Sequence, residues 1–164
     1  MEREEFSQLK NFSLKEKDCY GRIITAKLKD VQVELMVKAD YMVSLAKKYF
    51  HPKAYFIVGD INLGKHSDDS YHYQGMAIDG TFRTLTLMQM FYCAQLAGFK
   101  GVGAYGGDVW KTPGIHGDIR EQEHQSVWYA WEDQVWDAKL GKYVPKRVYN
   151  YDRGDVFDYL YTPC

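Results

Sequence analysis

The sequence has no paired cysteine pattern, no excess of charge of either sign and no long apolar run, and each absence closes off a class of function. Its three cysteines, Cys19, Cys93 and Cys164, are odd in number and show no C-x-x-C spacing. A disulfide framework or a cysteine-built zinc site therefore has no basis here. Cys93, inside an apolar run, reads as a small core residue. Lys and Arg number 21 against 22 Asp and Glu, which leaves no electrostatic footprint for nucleic acid. No uninterrupted apolar stretch approaches the length of a membrane span. The opening MEREEFSQLK lacks the apolar segment of a secretory signal, so the expectation is synthesis in the cytoplasm. Action outside the membrane would then require delivery or release by another agent. Repeats, low-complexity tracts and interdomain linkers are also missing, and 164 residues suit a single domain.

What the chain does have is rings. Aromatic residues make up 16% of it, with 14 tyrosines as the main excess. Tyrosine combines a flat apolar body with a polar tip, which suits a wet polar ligand and a subunit interface equally well.

Local patterns predict an α+β domain in which helices flank a small antiparallel sheet. Ser13 and Glu16 stand in capping-box spacing behind Phe12 and predict a short helix in NFSLKEKDC. Residues 30–50 place Val31, Leu35, Met42, Leu45 and Ala46 near one helical face, ahead of Pro52. AYFIV (54–58) reads as a buried strand, followed by the long polar loop GDINLGKHSDDS. GMAID (75–79) reads as a strand, and TLTLMQMFYCAQLAG as a helix that ends at Gly98. GVGAY and GIHGDIR read as two more strands around the turn GGDVWKTPG, and residues 127–147 as a strand, a turn near DAKLGK and another strand. Residues 122–164 hold three of the four tryptophans and six of the tyrosines. They read as an aromatic extension of the sheet or as an interface for further copies of the chain or for virion proteins.

The stretch SYHYQGMAIDG (70–80) contains His72 and Asp79. Taken alone they read more readily as a satisfied polar histidine and a turn aspartate than as two metal ligands. A third candidate is His116, since strand alternation puts His116, Asp118 and Arg120 on one face. Alternation likewise groups Gly75, Ala77 and Asp79, so small residues flank the aspartate. Two histidines and one carboxylate, with a fourth position left to water, are a common make-up of a catalytic zinc site.

These residues carry a resemblance. SYHYQGMAID matches the S-x-H-x-x-G-x-A-x-D signature of the zinc peptidases that include D-alanyl-D-alanine carboxypeptidases and peptidoglycan endopeptidases. Ser70, His72, Gly75, Ala77 and Asp79 fill its fixed positions, IHGDIR is similar to the second signature of one subgroup, H-x-D-[IV]-R, and NFSLKEKDC is similar to that subgroup's F-S-x-x-E-x-x-C element. The match spans residues 11 to 121 in the family's order.

The resemblance implies a Hedgehog/DD-peptidase-like zinc fold with one zinc per chain held by His72, Asp79 and His116. Ser70 and Arg120 would lie on the substrate side. It implies hydrolysis of an amide in a peptidoglycan peptide, by a phage lysin or cell-wall enzyme, or a virion protein that retains the fold. Two departures stand out. The acidic base that many members carry three residues before the second histidine is Pro113 here, which leaves Asp118 as the candidate proton acceptor. Asp118 is also open to a role in orienting His116 or pairing with Arg120. The arginine of the family's SGYRS-like segment is missing, with Lys65 as the nearest cation. His51 and His124 read as surface residues, His66 as a loop residue near the substrate path, and Tyr105 and Trp110 as cleft wall or core.

Overall fold

The computed structural model describes residues 1–151, and the tail beyond them, including Cys164, lies outside the described residues. Four helices and a six-stranded open sheet form an α+β domain. The helices are α1 (Arg3–Ser7), a 3-10 helix (Ile24–Asp30), α2 (Val33–Tyr49) and α3 (Leu87–Leu96). The strands are β1 (Phe56–Asp60), β2 (Ala77–Phe82), β3 (Gly101–Tyr105), β4 (Gly114–Asp118), β5 (Ser126–Asp137) and β6 (Lys142–Asn150). No helix among the described residues is long and apolar enough to cross a membrane.

The two long helices form where apolar periodicity predicts them. On α2, Leu35, Met36, Ala39, Met42, Val43 and Ala46 are all buried. On α3, Thr86 and Gln89 cap the first turn reciprocally, and Gly98, at φ 82°, turns the chain out of the helix. The helix expected around residues 13–18 does not form. The Leu14 and Glu16 carbonyls accept from the Thr25 hydroxyl and the Ile24 amide, and Lys17 bridges to Ile23. Long-range partners thus take the groups that a helix would pair locally. Phe12 still packs into the core.

The sheet order is β1-β2-β4-β3-β5-β6, and it is mixed, not purely antiparallel as expected. β4 is already paired with β2 on one edge and with β3 on the other. The chain leaving β4 therefore crosses to the free edge of β3, where β5 pairs parallel to it. β5 and β6 then form an antiparallel hairpin that outruns the rest of the sheet. Asp137, Asp133 and Glu132 stand opposite Lys142, Lys146 and Arg147 across it, an arrangement of opposite charges that favours this register.

One face of the sheet is apolar. Val58, Ile78, Ile115, Val102, Ala104 and Val127 share that face and pack with α2 and α3 into a single core cluster. Because side chains alternate, the intervening residues point the other way. Asp60, Asp79, His116, Gly103 and Trp128 stand in register across five strands, and Ala77, Asp118, Gly101 and Ser126 form the adjoining row. The polar residues of the chain's two signatures are therefore the face that the helices leave uncovered.

Candidate metal centre

Asp60 organises the loop that delivers the first histidine. A bulge between Val58 and Asp60 sets it opposite Asp79, where plain alternation would have pointed it at the helices. Its Oδ1 accepts from the amides of Ile61 (2.9 Å) and Leu63 (3.0 Å), and its Oδ2 from the amide of Gly64 (2.6 Å). Arg22 ties the same loop down by donating to the Leu63 carbonyl at 2.8 Å. The Ser70 hydroxyl accepts from the His72 amide at 3.3 Å and so begins the turn that carries the imidazole. Gly75 ends that turn at φ 64°, and a Cβ there would stand 1.7 Å from the Asp30 carbonyl oxygen. The glycine of the motif is thus demanded by backbone geometry.

His72 is buried, and its Nδ1 lies 2.6 Å from the Ile61 carbonyl oxygen. A carbonyl only accepts, so Nδ1 donates to it and Nε2 is the nitrogen left to face inward. His116 is fixed in the opposite sense. Its Nε2 lies 3.0 Å from Asp118 Oδ2, in a carboxylate that Arg120 also grips, so Nε2 donates and Nδ1 faces inward. Each histidine thus has its outer nitrogen anchored, as metal-ligating histidines do.

The inward atoms converge. His72 Nε2 lies 3.3 Å from His116 Nδ1 and 3.3 Å from Asp79 Oδ2, and His116 Nδ1 lies 2.8 Å from Asp79 Oδ1. The separation of the two ring nitrogens matches the about 3.3 Å between ligands at zinc bond lengths in a tetrahedron, and Asp79 meets the two rings through different oxygens. Two ring nitrogens and a carboxylate thus meet at one spot, which a proton or a metal cation can occupy. The buried His/Asp cluster of Asp60, His66, His72, Asp79 and His116 could bind a metal.

The electrostatics agree. Burial alone would raise the Asp79 carboxyl, but His116 and His72 outweigh it and hold it well below the usual carboxylate range. Burial also disfavours charge on His116, yet the Asp118 and Asp79 carboxylates hold its pKa up at about 9. A metal on Nδ1 must displace that proton. Below pH 9 the affinity for a divalent cation should therefore fall about tenfold per unit of acidification, and at pH 7 uptake should release close to one proton per ion. Calorimetry in buffers of different ionisation enthalpy measures that number, and a value of zero would exclude the coupling.

Asp118 lies behind His116, away from Asp79. It is fully buried, and both its oxygens are engaged, by His116 Nε2 and by the Arg120 backbone and guanidinium. Arg120 and His116 outweigh its burial and keep it ionised, well below the normal carboxylate range. In this position it orients the ring and does not face the converging atoms. Arg120, expected on the substrate side, forms an ion pair with Asp118. Lys65 is exposed, Pro113 accepts from the Thr81 hydroxyl at 2.7 Å through its carbonyl, and Tyr105 and Trp110 stack on each other at 4.2 Å. His124 is exposed, and His51 sits at the end of α2, where its Nδ1 accepts from the Lys53 amide.

Sequence reasoning missed Asp60 and left His66 in a loop. The His66 ring stacks on His72 at 3.9 Å, nearly parallel, while its Nε2 lies 2.6 Å from Asp60 Oδ2. An aspartate six residues before a histidine, both in one Gly-rich polar loop, was the available signal. No family model and no curated protein matches the chain.

Proposed function

We propose that the protein is a zinc-dependent peptidase that hydrolyses an amide bond in the peptides of bacterial peptidoglycan, as a phage lysin or a cell-wall remodelling enzyme that acts at the wall after release. One observation carries the reading: two imidazoles, each anchored through its outer nitrogen, turn their inner nitrogens toward one carboxylate, on the residues of the two peptidase signatures. His72, Asp79 and His116 would hold one zinc ion per chain. Bound there, zinc lowers the pKa of water and polarises a carbonyl. The chain's own part is positional: the Ile61 carbonyl fixes His72, Asp118 fixes His116, and the Asp60 loop carries the turn that leads to Ser70 and His72.

A second reading is favoured by the engagement of Asp118. With Pro113 at the usual base position and Asp118 occupied on both oxygens, the fold suits a virion structural protein that retains the metal with weak catalysis. Incubating pure zinc-loaded protein with purified peptidoglycan separates the two. New amino termini in the released fragments, abolished by a chelator, are expected for the peptidase. Intact peptidoglycan with zinc still bound would favour the virion protein.

Asp118→Asn tests the division of labour. As the residue that orients His116, it should lower zinc affinity and rate together by about 10- to 100-fold. Full zinc retention with a rate loss of roughly a hundredfold or more would instead make it the general base.

A further inference from the structure

The grip on Asp118 is itself gripped. Arg120 Nε donates to Asp118 Oδ1 at 2.7 Å, its Nη2 reaches Oδ2, and its backbone amide donates to Oδ1 at 3.2 Å. The guanidinium lies 4.8 Å from the centre of the Tyr71 ring and 5.2 Å from that of Trp128. Trp128 is buried, and its indole nitrogen donates to the Tyr105 hydroxyl at 3.2 Å.

The sheet makes room for this assembly by omitting side chains. A Cβ on Gly103 would come within 2.5 Å of the Trp128 indole, and one on Gly101 within 2.3 Å of the Asp118 carboxylate. Two neighbouring positions of β3 are thus bare where the indole and the carboxylate must lie flat. The same indole is tilted against His116 at 5.4 Å between ring centres. Everything that bears on the outer nitrogen of His116 is held in place from two or more directions.

From this we infer that Arg120 is a positioning residue of the metal centre: packed against the rings of Tyr71 and Trp128, it locks Asp118 onto His116 Nε2 so that Nδ1 faces Asp79. The inference rests on the metal reading of the site. It gives Trp128, which lies beyond the stretch covered by the peptidase signatures, a part in that centre. A planar fork that packs on two rings and grips both carboxylate oxygens is a task for arginine and not for lysine, whose point charge can pair with Asp118 without fixing the carboxylate's tilt.

The test uses the full chain with Arg120→Lys and Arg120→Gln, reading zinc affinity by chelator competition and the visible spectrum of the cobalt-loaded protein. Arg120→Lys keeps the charge beside Asp118, so a loss there isolates the fork. About tenfold weaker zinc binding is expected for Arg120→Lys and about a hundredfold for Arg120→Gln, each with altered cobalt bands. Should Arg120→Gln fail to fold, Arg120→Lys alone decides. Affinity and cobalt spectrum indistinguishable from the wild type in a folded Arg120→Lys protein overturn the inference and leave the metal reading standing. A wild-type protein that takes up neither zinc nor cobalt overturns both.

Discussion

His116→Ala is expected to strip the protein of its metal. Elemental analysis of wild-type protein purified without added metal should find about one zinc per chain, the stoichiometry of a three-ligand site with one open position. His116→Ala, His72→Ala and Asp79→Ala should each bring that value close to zero. The effect is large because the three residues contribute one inward atom each, and two remaining ligands do not hold zinc against buffer and water. His124→Ala, at an exposed position, should leave the zinc content unchanged and serves as the control. A wild-type protein that contains no zinc and takes none up on titration would remove the basis for the proposed chemistry.

The second large effect concerns the end of the chain. Residues from 122 onward were expected to extend the sheet or to form an interface, and the structure puts β5 and β6 within the sheet. β5 is an interior strand between β3 and β6, and Val127, Trp128 and Ala130 are among the most buried residues of the protein. Burying a valine contributes about 1.5–3 kcal/mol, and deleting a core tryptophan costs about 3–5 kcal/mol. Their sum approaches the whole margin of an ordinary domain, about 5–15 kcal/mol, before the lost pairing along β3 is counted. A version ending at Glu121 should therefore be insoluble or lack a cooperative unfolding transition by circular dichroism. A soluble form with a sharp transition would show that the core closes without β5.

How much of this was legible beforehand depended on how local each feature is. The helices α2 and α3 announce themselves through apolar spacing and caps, which act within a few residues. The strands around His116 and Asp79 were readable from alternation, and so was the shared face of His116, Asp118 and Arg120. The capping-box spacing at Ser13 misled, because it yields one turn, and bonds from Ile24 and Thr25 then take the carbonyls that a helix would use. The parallel pairing of β3 with β5 left no local trace, since a strand's sequence does not name its partner. Asp60 escaped for a related reason: a bulge changes the face it occupies. Nor could spacing alone assign Asp118. Whether a carboxylate two residues from a histidine meets the inner or the outer ring nitrogen is decided by ring orientation, which the neighbouring strands impose.

The row that runs from Asp60 to Trp128 has a consequence for error. Side chains alternate along a strand, so a slip of β4 by one residue would turn His116 toward the helices and bring Ile115 or Gly117 opposite Asp79. The same slip would carry Ile115 out of the core, where it is now almost wholly hidden. The centre cannot be half-built by a small misalignment; it is present in one register and missing in its neighbours. Oily residues on the covered face thus proofread the His/Asp cluster on the open one, whose assembly is guarded by side chains that never come near it.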